Sequence, residues 1–185
     1  LAKAISHFYP KKILEIGSGN GINLFCLSSV TESKLCGIEL TKGGVEAAKK
    51  IQQGNQLPEY LNDFVKFEGF RKNQNFKNIN FFQNDAKEFN LNEKFDFIFT
   101  ALALEQMNDI KVEVLNNIKK HSSSIVVFIE PFDEFNKSLT RKLWIKSENY
   151  FNLAYKNLYK YGFEIIEVID TFPSKLTSIE KEIED

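Results

Sequence analysis

The sequence predicts an α/β fold, a mainly parallel sheet with helices on both faces, and three observations carry that prediction. Apolar runs of strand length alternate with stretches of helical period along most of the chain. One run, Phe95 to Thr100, is apolar or aromatic at nearly every position, as a strand covered on both faces must be. The first run breaks directly into Gly17-Ser18-Gly19-Asn20-Gly21, a turn that opens a helix. At 185 residues and 43% hydrophobic, the chain suffices for one domain with a sizeable core.

The elements follow in order. Lys12 to Ile16 is the first strand, and Ile22, Leu24, Phe25, Leu27 and Val30 then crowd one side of a helix. Leu35 to Glu39 is the second strand and Gly43 to Gln52 the second helix. Ile79 to Gln83 is the third strand and Phe95 to Thr100 the fourth. Helix resumes near Met107, with Met107, Ile110, Val114, Leu115 and Ile118 on one face. Ser124 to Glu130 is the fifth strand, stopped by Pro131. A long helical region is expected from Phe135 to Tyr161, broken near Ser147 and capped by Gly162. Phe163 to Asp170, alternating in character, is the sixth strand. No seventh strand is evident after Asp170, and Thr171 to Ile179 suits one poorly, so that edge reads as truncated. The chain starts at Leu1 rather than Met, which reads as a trimmed sequence that further N-terminal elements could precede.

A single domain, 1–185, is therefore expected, with an insertion at about 53–78. That span exceeds the usual two to six residues of a connection, and Pro58 suits the first turn of an added helix. The helix before it runs antiparallel to the strands, so the insertion is expected at their amino ends, away from a ligand cleft.

Composition closes several routes. A net charge of −1 and 26% charged residues exclude a disordered chain and argue against a nucleic-acid partner. No run approaches the ~18 apolar residues of a membrane span, and the first ten residues lack signal-peptide architecture. A cytoplasmic location is expected. Two cysteines, Cys26 and Cys36, and two histidines provide neither a disulfide framework nor zinc-ligand spacing, and both thiols are expected to be buried and free. No metal site is predicted. Lys137, Arg141, Lys142 and Lys146 read as a solvated helix face.

The chemistry concentrates around the first turn. A Gly-x-Gly-x-Gly loop admits a ligand close to the backbone, and the helix behind it offers unpaired N–H groups. The spacing departs from the dinucleotide fingerprint, which would need glycine where Ile22 stands. Glu15 sits two residues before the first glycine in an otherwise apolar strand. A carboxylate there is costly to bury unless a cation or N–H donors meet it. Glu39 closes the second strand about twenty residues after Gly17, where an acid takes the hydroxyls of a ribose. Singly, Glu15 also fits a strand end and Glu39 a charge approaching a helix. Together they point to a nucleoside ligand.

From Lys11 to Asp170 the chain resembles the class I S-adenosylmethionine-dependent methyltransferases, whose fold is a Rossmann-like three-layer sandwich. Glu15-Ile16-Gly17-Ser18-Gly19-Asn20-Gly21 is similar to the family's first motif. The resemblance implies S-adenosyl-L-methionine as cofactor, with its methionine part over the glycine loop. It implies that Glu39, followed by Leu40, binds the ribose, and that Asp85 and Ala86, after the third strand, meet the adenine. The end of the fourth strand at Thr100 would supply carbonyls to the cofactor's amino group. Asp85 also reads as a plain turn residue.

A sulfonium methyl is already activated, so methyl transfer mainly needs a nucleophile held about 3 Å away. A base helps where that nucleophile is a hydroxyl. Glu105 and Gln106 follow the fourth strand and Glu130 ends the fifth, at the carboxyl edge where ligands bind such sheets. Gln106 stands where many small-molecule relatives carry His, and it cannot act as a base. Glu130 is the first expectation for the base and Glu105 the second. His121 lies at the opposite edge and reads as a solvated turn residue. Phe132 and Phe135 could line the pocket, while Trp144 is expected on the packed face of a helix.

No Tyr-x-x-x-Lys pair, Asn-Pro-Pro-Tyr step or Pro-Cys pair occurs, which cuts down the short-chain dehydrogenase, amino-adenine and cytosine-C5 alternatives. The function expected is methylation of a small molecule, at oxygen, on a metabolite or polysaccharide precursor. An RNA or protein methyltransferase, a cofactor-binding module without catalysis, and aminopropyl transfer stay open, as does the oligomeric state.

Overall fold

Five strands account for the centre of the molecule: β1 (Lys12–Ile16), β2 (Lys34–Glu39), β3 (Asn80–Gln83), β4 (Phe95–Ala101) and β5 (Ser122–Ile129). They pair in the order β3-β2-β1-β4-β5, and every neighbouring pair is parallel. The computed structural model describes residues 1–62, 74–135, 138–150 and 153–169. The order reverses between β1 and β4, so their outgoing loops diverge and leave a crevice at the carboxyl edge.

Strand alternation divides the core in two. Ile13, Leu35, Phe97 and Phe99 pack with Leu24 and Phe25 of α2 (Ile22–Leu27) and with Val45 and Ala48 of α3 (Lys42–Gln52). Leu14, Ile16, Cys36 and Ile98 face the other way, against Val114, Leu115 and Ile118 of α5 (Lys111–His121). The parallel sheet is thus covered on both faces, as the sequence predicts. At the amino edge Asp96 accepts the backbone N–H groups of Lys11 and Lys12, and Glu93 pairs with Lys12 and Lys34. These contacts close that edge with charge, whereas the carboxyl edge stays open.

Several expectations need correction. A short helix, α1 (Ala2–Phe8), precedes β1 and buries Ile5 in the α2/α3 layer. The expected sixth strand does not form over residues 163–169, which join no strand of the sheet. Ile165, Ile166, Val168 and Ile169 are all exposed, so the alternating pattern has no buried face to select. Asp170 and Thr171 to Ile179 lie outside the described residues. Among the described residues the long helical region is three pieces: a 3₁₀ turn (Asp133–Phe135), α6 (Leu139–Ser147) and a 3₁₀ helix (Tyr155–Tyr161). Its break falls after Ser147 as expected, and Gly162 caps the last piece with φ 80°.

His121 is buried rather than solvated. As the last residue of α5 it bonds the Asn117 carbonyl through Nδ1 and packs on Phe89 at 4.4 Å. Trp144, expected to be packed, is 53% exposed and touches Tyr150 instead. Phe132 is buried in the α5-side core and Phe135 stacks on Tyr155, so both contribute packing. Cys36 is buried, Cys26 is half-buried, and both are free thiols. Among the described residues no helix is long and apolar enough to cross a membrane. No group of three or more metal-binding side chains occurs among them either.

Of the insertion, α4 (Glu59–Asn62) and a 3₁₀ turn (Gln74–Asn78) are described, and Pro58 immediately precedes α4. Residues 63–73, including Arg71 and Lys72, lie outside the described residues, as does Lys137. Lys142 and Lys146 are exposed as expected.

Candidate cofactor and active site

The loop after β1 is built from the backbone outward. The N–H groups of Gly17 and Ser18 both donate to the Ile38 carbonyl, at 2.8 and 2.9 Å, which fastens the loop to the end of β2. Gly17, Gly19 and Gly21 have φ of 73°, 53° and 82°, a left-handed region costly for other residues. Crowding distinguishes them. A Cβ on Gly17 would lie 2.5 Å from Ala103 Cβ, and one on Gly21 would lie 2.6 Å from the Phe81 ring. A Cβ on Gly19 would meet nothing within 4 Å, so the middle of the loop faces open volume.

Two acids frame that volume. Glu15 is 1% exposed on β1; its Oε1 accepts from Asn23 Nδ2 at 2.6 Å, and its Oε2 has no partner among the described residues. Burial pushes its carboxyl up to about 8, against the opposing pull of the Asn23 hydrogen bond and with a smaller push from Glu39. Glu39 ends β2. Its Oε2 accepts the Gly19 N–H at 3.0 Å, while Oε1 accepts the N–H and hydroxyl of Thr41 at 2.8 and 2.6 Å. Thr41 in turn caps α3 by accepting from the Gly44 N–H. Glu39 therefore ties the glycine loop to the start of α3.

On the far side of β2, Asn84 N–H donates to the Glu39 carbonyl, which brings the end of β3 alongside. Asp85 accepts the Lys87 N–H and pairs with the Lys87 ammonium, so the turn role left open for it is realised in the structure. Ala86 is buried, and its carbonyl accepts from Asn117. Leu40, just past Glu39, is 60% exposed.

The loop after β4 completes the crevice. Thr100 is fully buried within the ladder, and the strand runs one residue further, to Ala101. Leu102 follows with φ 52° and 58% exposure, its N–H held by the Ile129 carbonyl. The N–H groups of Ala103 and Leu104 donate to Glu130 Oε1 at 3.1 and 3.2 Å. Glu130 is 8% exposed, and its Oε2 has no well-formed hydrogen bond among the described residues. Burial pushes its carboxyl up to about 7, against the Thr100 hydroxyl and the two N–H groups, with a minor push from Glu105. Glu105 is half-buried on the 3₁₀ turn Leu104–Gln106.

The structure thus brings Glu15, the glycine loop, Glu39, Leu40 and the start of the β4 loop together at the carboxyl edge of the sheet. Ser18 is the exception within the loop, since its hydroxyl is buried over Gly37 rather than turned outward. Sequence reasoning missed Asn23 and Ala103. Asn23 carried a signal, a polar residue in the first turn of an apolar helix, whereas the contact of Ala103 with Gly17 carried none. The insertion also comes nearer than expected. Leu57, Pro58 and Glu59 line a groove of about 550 Å³ with Asn20, Ala47 and Lys50. Its first residues therefore border the glycine loop, because the chain leaving α3 turns back along that helix.

A family model described as "methyltransferase domain" matches residues 14–123. The fold is similar to that of the plantazolicin methyltransferase BpumL in complex with a pentazolic desmethylPZN analog and SAH, at TM-score 0.56 and 20% identity. That match covers 100% of this chain and 62% of BpumL, so the chain spans less than two thirds of that protein. The related BamL aligns at TM-score 0.59 and 17% identity over 98% of this chain and 70% of BamL. Magnesium protoporphyrin IX methyltransferase (ChlM) from Synechocystis PCC 6803, with bound SAH, aligns at 0.59 and 11% identity, covering 89% and 69%. A comparison with curated proteins returns no match.

Proposed function

The chain belongs to the methyltransferase domain family, and from that premise we propose that it transfers a methyl group from S-adenosylmethionine to an oxygen of a small-molecule acceptor. The observation that carries the reading is the unpaired Oε2 of Glu15, buried at the root of the glycine loop. A carboxyl held near 8 by burial gains most from a cationic partner, which restores the solvation its charged form lacks. Open volume over Gly19 leaves room for a ligand against the loop. Both features fit a cofactor that carries an ammonium and a sulfonium.

When bound, S-adenosylmethionine supplies a methyl on sulfonium sulfur, and its displacement by an acceptor hydroxyl breaks S–CH₃, forms O–CH₃ and leaves S-adenosylhomocysteine and a proton. The residues mainly hold and orient. Glu39 would take the ribose hydroxyls while keeping Thr41 and Gly19 in place. Asp85 and the Ala86 N–H would meet the adenine, and carbonyls at the end of β4, from Thr100 onward, the amino group. Leu40 and Leu102, both exposed, would form apolar walls to either side of the loop. Glu105, half-buried on the turn after β4, would receive the proton of the acceptor hydroxyl.

A small acceptor, a metabolite or polysaccharide precursor, is favoured by the net charge of −1, which gives a polyanion such as RNA no overall electrostatic attraction. The test is a methyl-transfer screen over metabolite pools, with mass detection of methylated products and RNA and peptide pools in parallel. A methylated small molecule supports the reading, and transfer only to RNA or peptide overturns the acceptor class. Tight binding of S-adenosylhomocysteine without transfer to any pool points to a cofactor-binding module.

A further inference from the structure

Glu130 is placed where a base could sit, yet its contacts describe a different task. Oε1 is occupied by two backbone donors, Ala103 and Leu104, consecutive residues of the turn that leaves β4. Ala103 is the one that presses on the glycine loop, since its methyl fills the space a Cβ on Gly17 would need. Leu102, just before them, holds the left-handed conformation that a leucine adopts only when its surroundings over-determine it. Three hydrogen bonds do so here: Leu102 N–H to the Ile129 carbonyl, and the two N–H groups to Glu130. Both acceptors, the Ile129 carbonyl and Glu130 Oε1, belong to the end of β5 or the residue that follows it.

We propose that Glu130 is a positioning residue, a clamp that holds the turn after β4 against the glycine loop and so fixes the floor on which the cofactor rests. The inference rests on the cofactor reading above for what the floor supports, but the clamp itself is a property of the protein alone.

The chemistry of the pocket agrees. Both carboxyl oxygens are buried, and neither Oε2 nor the Thr100 hydroxyl oxygen has a well-formed hydrogen bond among the described residues. A neutral carboxylic acid suits this pocket, with Oε1 accepting from the two N–H groups and Oε2 kept uncharged away from water. Glutamine has the same arrangement, an accepting carbonyl beside a donating NH₂. A pKa near 7 would suit a base, but a base must also reach its substrate, and this carboxyl is enclosed and engaged. A clamp and a base therefore diverge on one substitution: glutamine preserves the first and abolishes the second.

The experiment compares wild type, Glu130→Gln and Glu130→Ala by amide hydrogen exchange at Ala103 and Leu104, by calorimetry with S-adenosylhomocysteine, and by kcat against pH once an acceptor is known. The clamp predicts slow exchange in wild type and Glu130→Gln, and exchange at least tenfold faster in Glu130→Ala. It predicts affinity in Glu130→Gln within threefold of wild type, and a loss of tenfold or more in Glu130→Ala. Glutamine should also restore most of the kcat that alanine removes and leave the acid limb of the pH profile in place. If Glu130→Ala does not fold, Glu130→Gln alone decides. A folded Glu130→Gln whose kcat falls about a hundredfold, with exchange and affinity unchanged, overturns the clamp in favour of a base. Unchanged exchange in a folded Glu130→Ala overturns it outright. Should wild type fail to bind S-adenosylhomocysteine, the cofactor reading falls, while the exchange data still judge the clamp.

Discussion

Replacing Glu15 by glutamine should make the protein more stable at alkaline pH and less able to bind its cofactor. The unfolded chain ionises this carboxyl at its ordinary value of 4.5, but burial in the fold raises it to about 8. Stability from the protonated group is full below the unfolded value and is lost as pH rises towards the folded one. Each pH unit in that window costs about 1.4 kcal/mol. Between pH 6 and pH 8 the wild type should therefore lose about 2–3 kcal/mol through Glu15 alone. Glutamine keeps the acceptor that Asn23 uses and carries no ionisable proton, so the variant escapes the loss. For a domain of this size the difference corresponds to roughly 5–10 °C in Tm. Thermal melts of both proteins at pH 6, 7 and 8 would measure it, since every other titrating group, Glu130 included, cancels in the comparison. The variant should gain on wild type steadily with pH. Parallel curves would mean that Glu15 is solvated or already paired, and the argument for a waiting cation site would fail.

Four further outcomes follow, three from the glycine loop and Glu39 and one from the core. Gly17→Ala should destabilise the fold by about 2–4 kcal/mol in urea unfolding, because a positive φ and the Ala103 methyl both oppose it. Gly19→Val faces open volume, so it should cost only the backbone penalty of about 1–2 kcal/mol and yet abolish S-adenosylhomocysteine binding in calorimetry. Glu39→Ala should weaken that binding by roughly 1.5–3 kcal/mol, the range for hydrogen bonds to a charged group, and a full-strength titration would remove the ribose role. His121→Ala should cost about 2–4 kcal/mol in urea unfolding through lost packing on Phe89 and a lost buried hydrogen bond, with cofactor affinity unchanged.

The centre of the fold was legible because its signals are local. Lys12–Ile16 and the glycine turn after it are defined by consecutive residues, and β1 spans the residues the sequence marks. The acid at the end of β2 was legible for the same reason. What escaped depends on partners distant in the chain. Phe163 to Ile169 has the pattern of a strand, but a pattern does not supply a neighbour to pair with. His121 looks polar and terminal until Phe89 is seen beside it, and Trp144 looks like core until its helix proves to turn it outward. Glu130 was legible as a carboxylate at the carboxyl edge. That its oxygen is engaged by Ala103 and Leu104 was not, because those residues precede it by more than twenty positions.

The central claim is that the glycine loop and Glu15 form the site for S-adenosylmethionine, and one measurement addresses it directly. Titrating S-adenosylhomocysteine into wild type and Glu15→Gln at pH 7, in two buffers of different ionisation enthalpy, reads affinity and proton exchange together. The account predicts one molecule bound per chain, with a proton released by wild type as the cofactor's positive charge stabilises the buried Glu15 carboxylate. It predicts much weaker binding and no such release in the variant. Equal affinities with no difference between buffers, or no binding by the folded wild type, would contradict it.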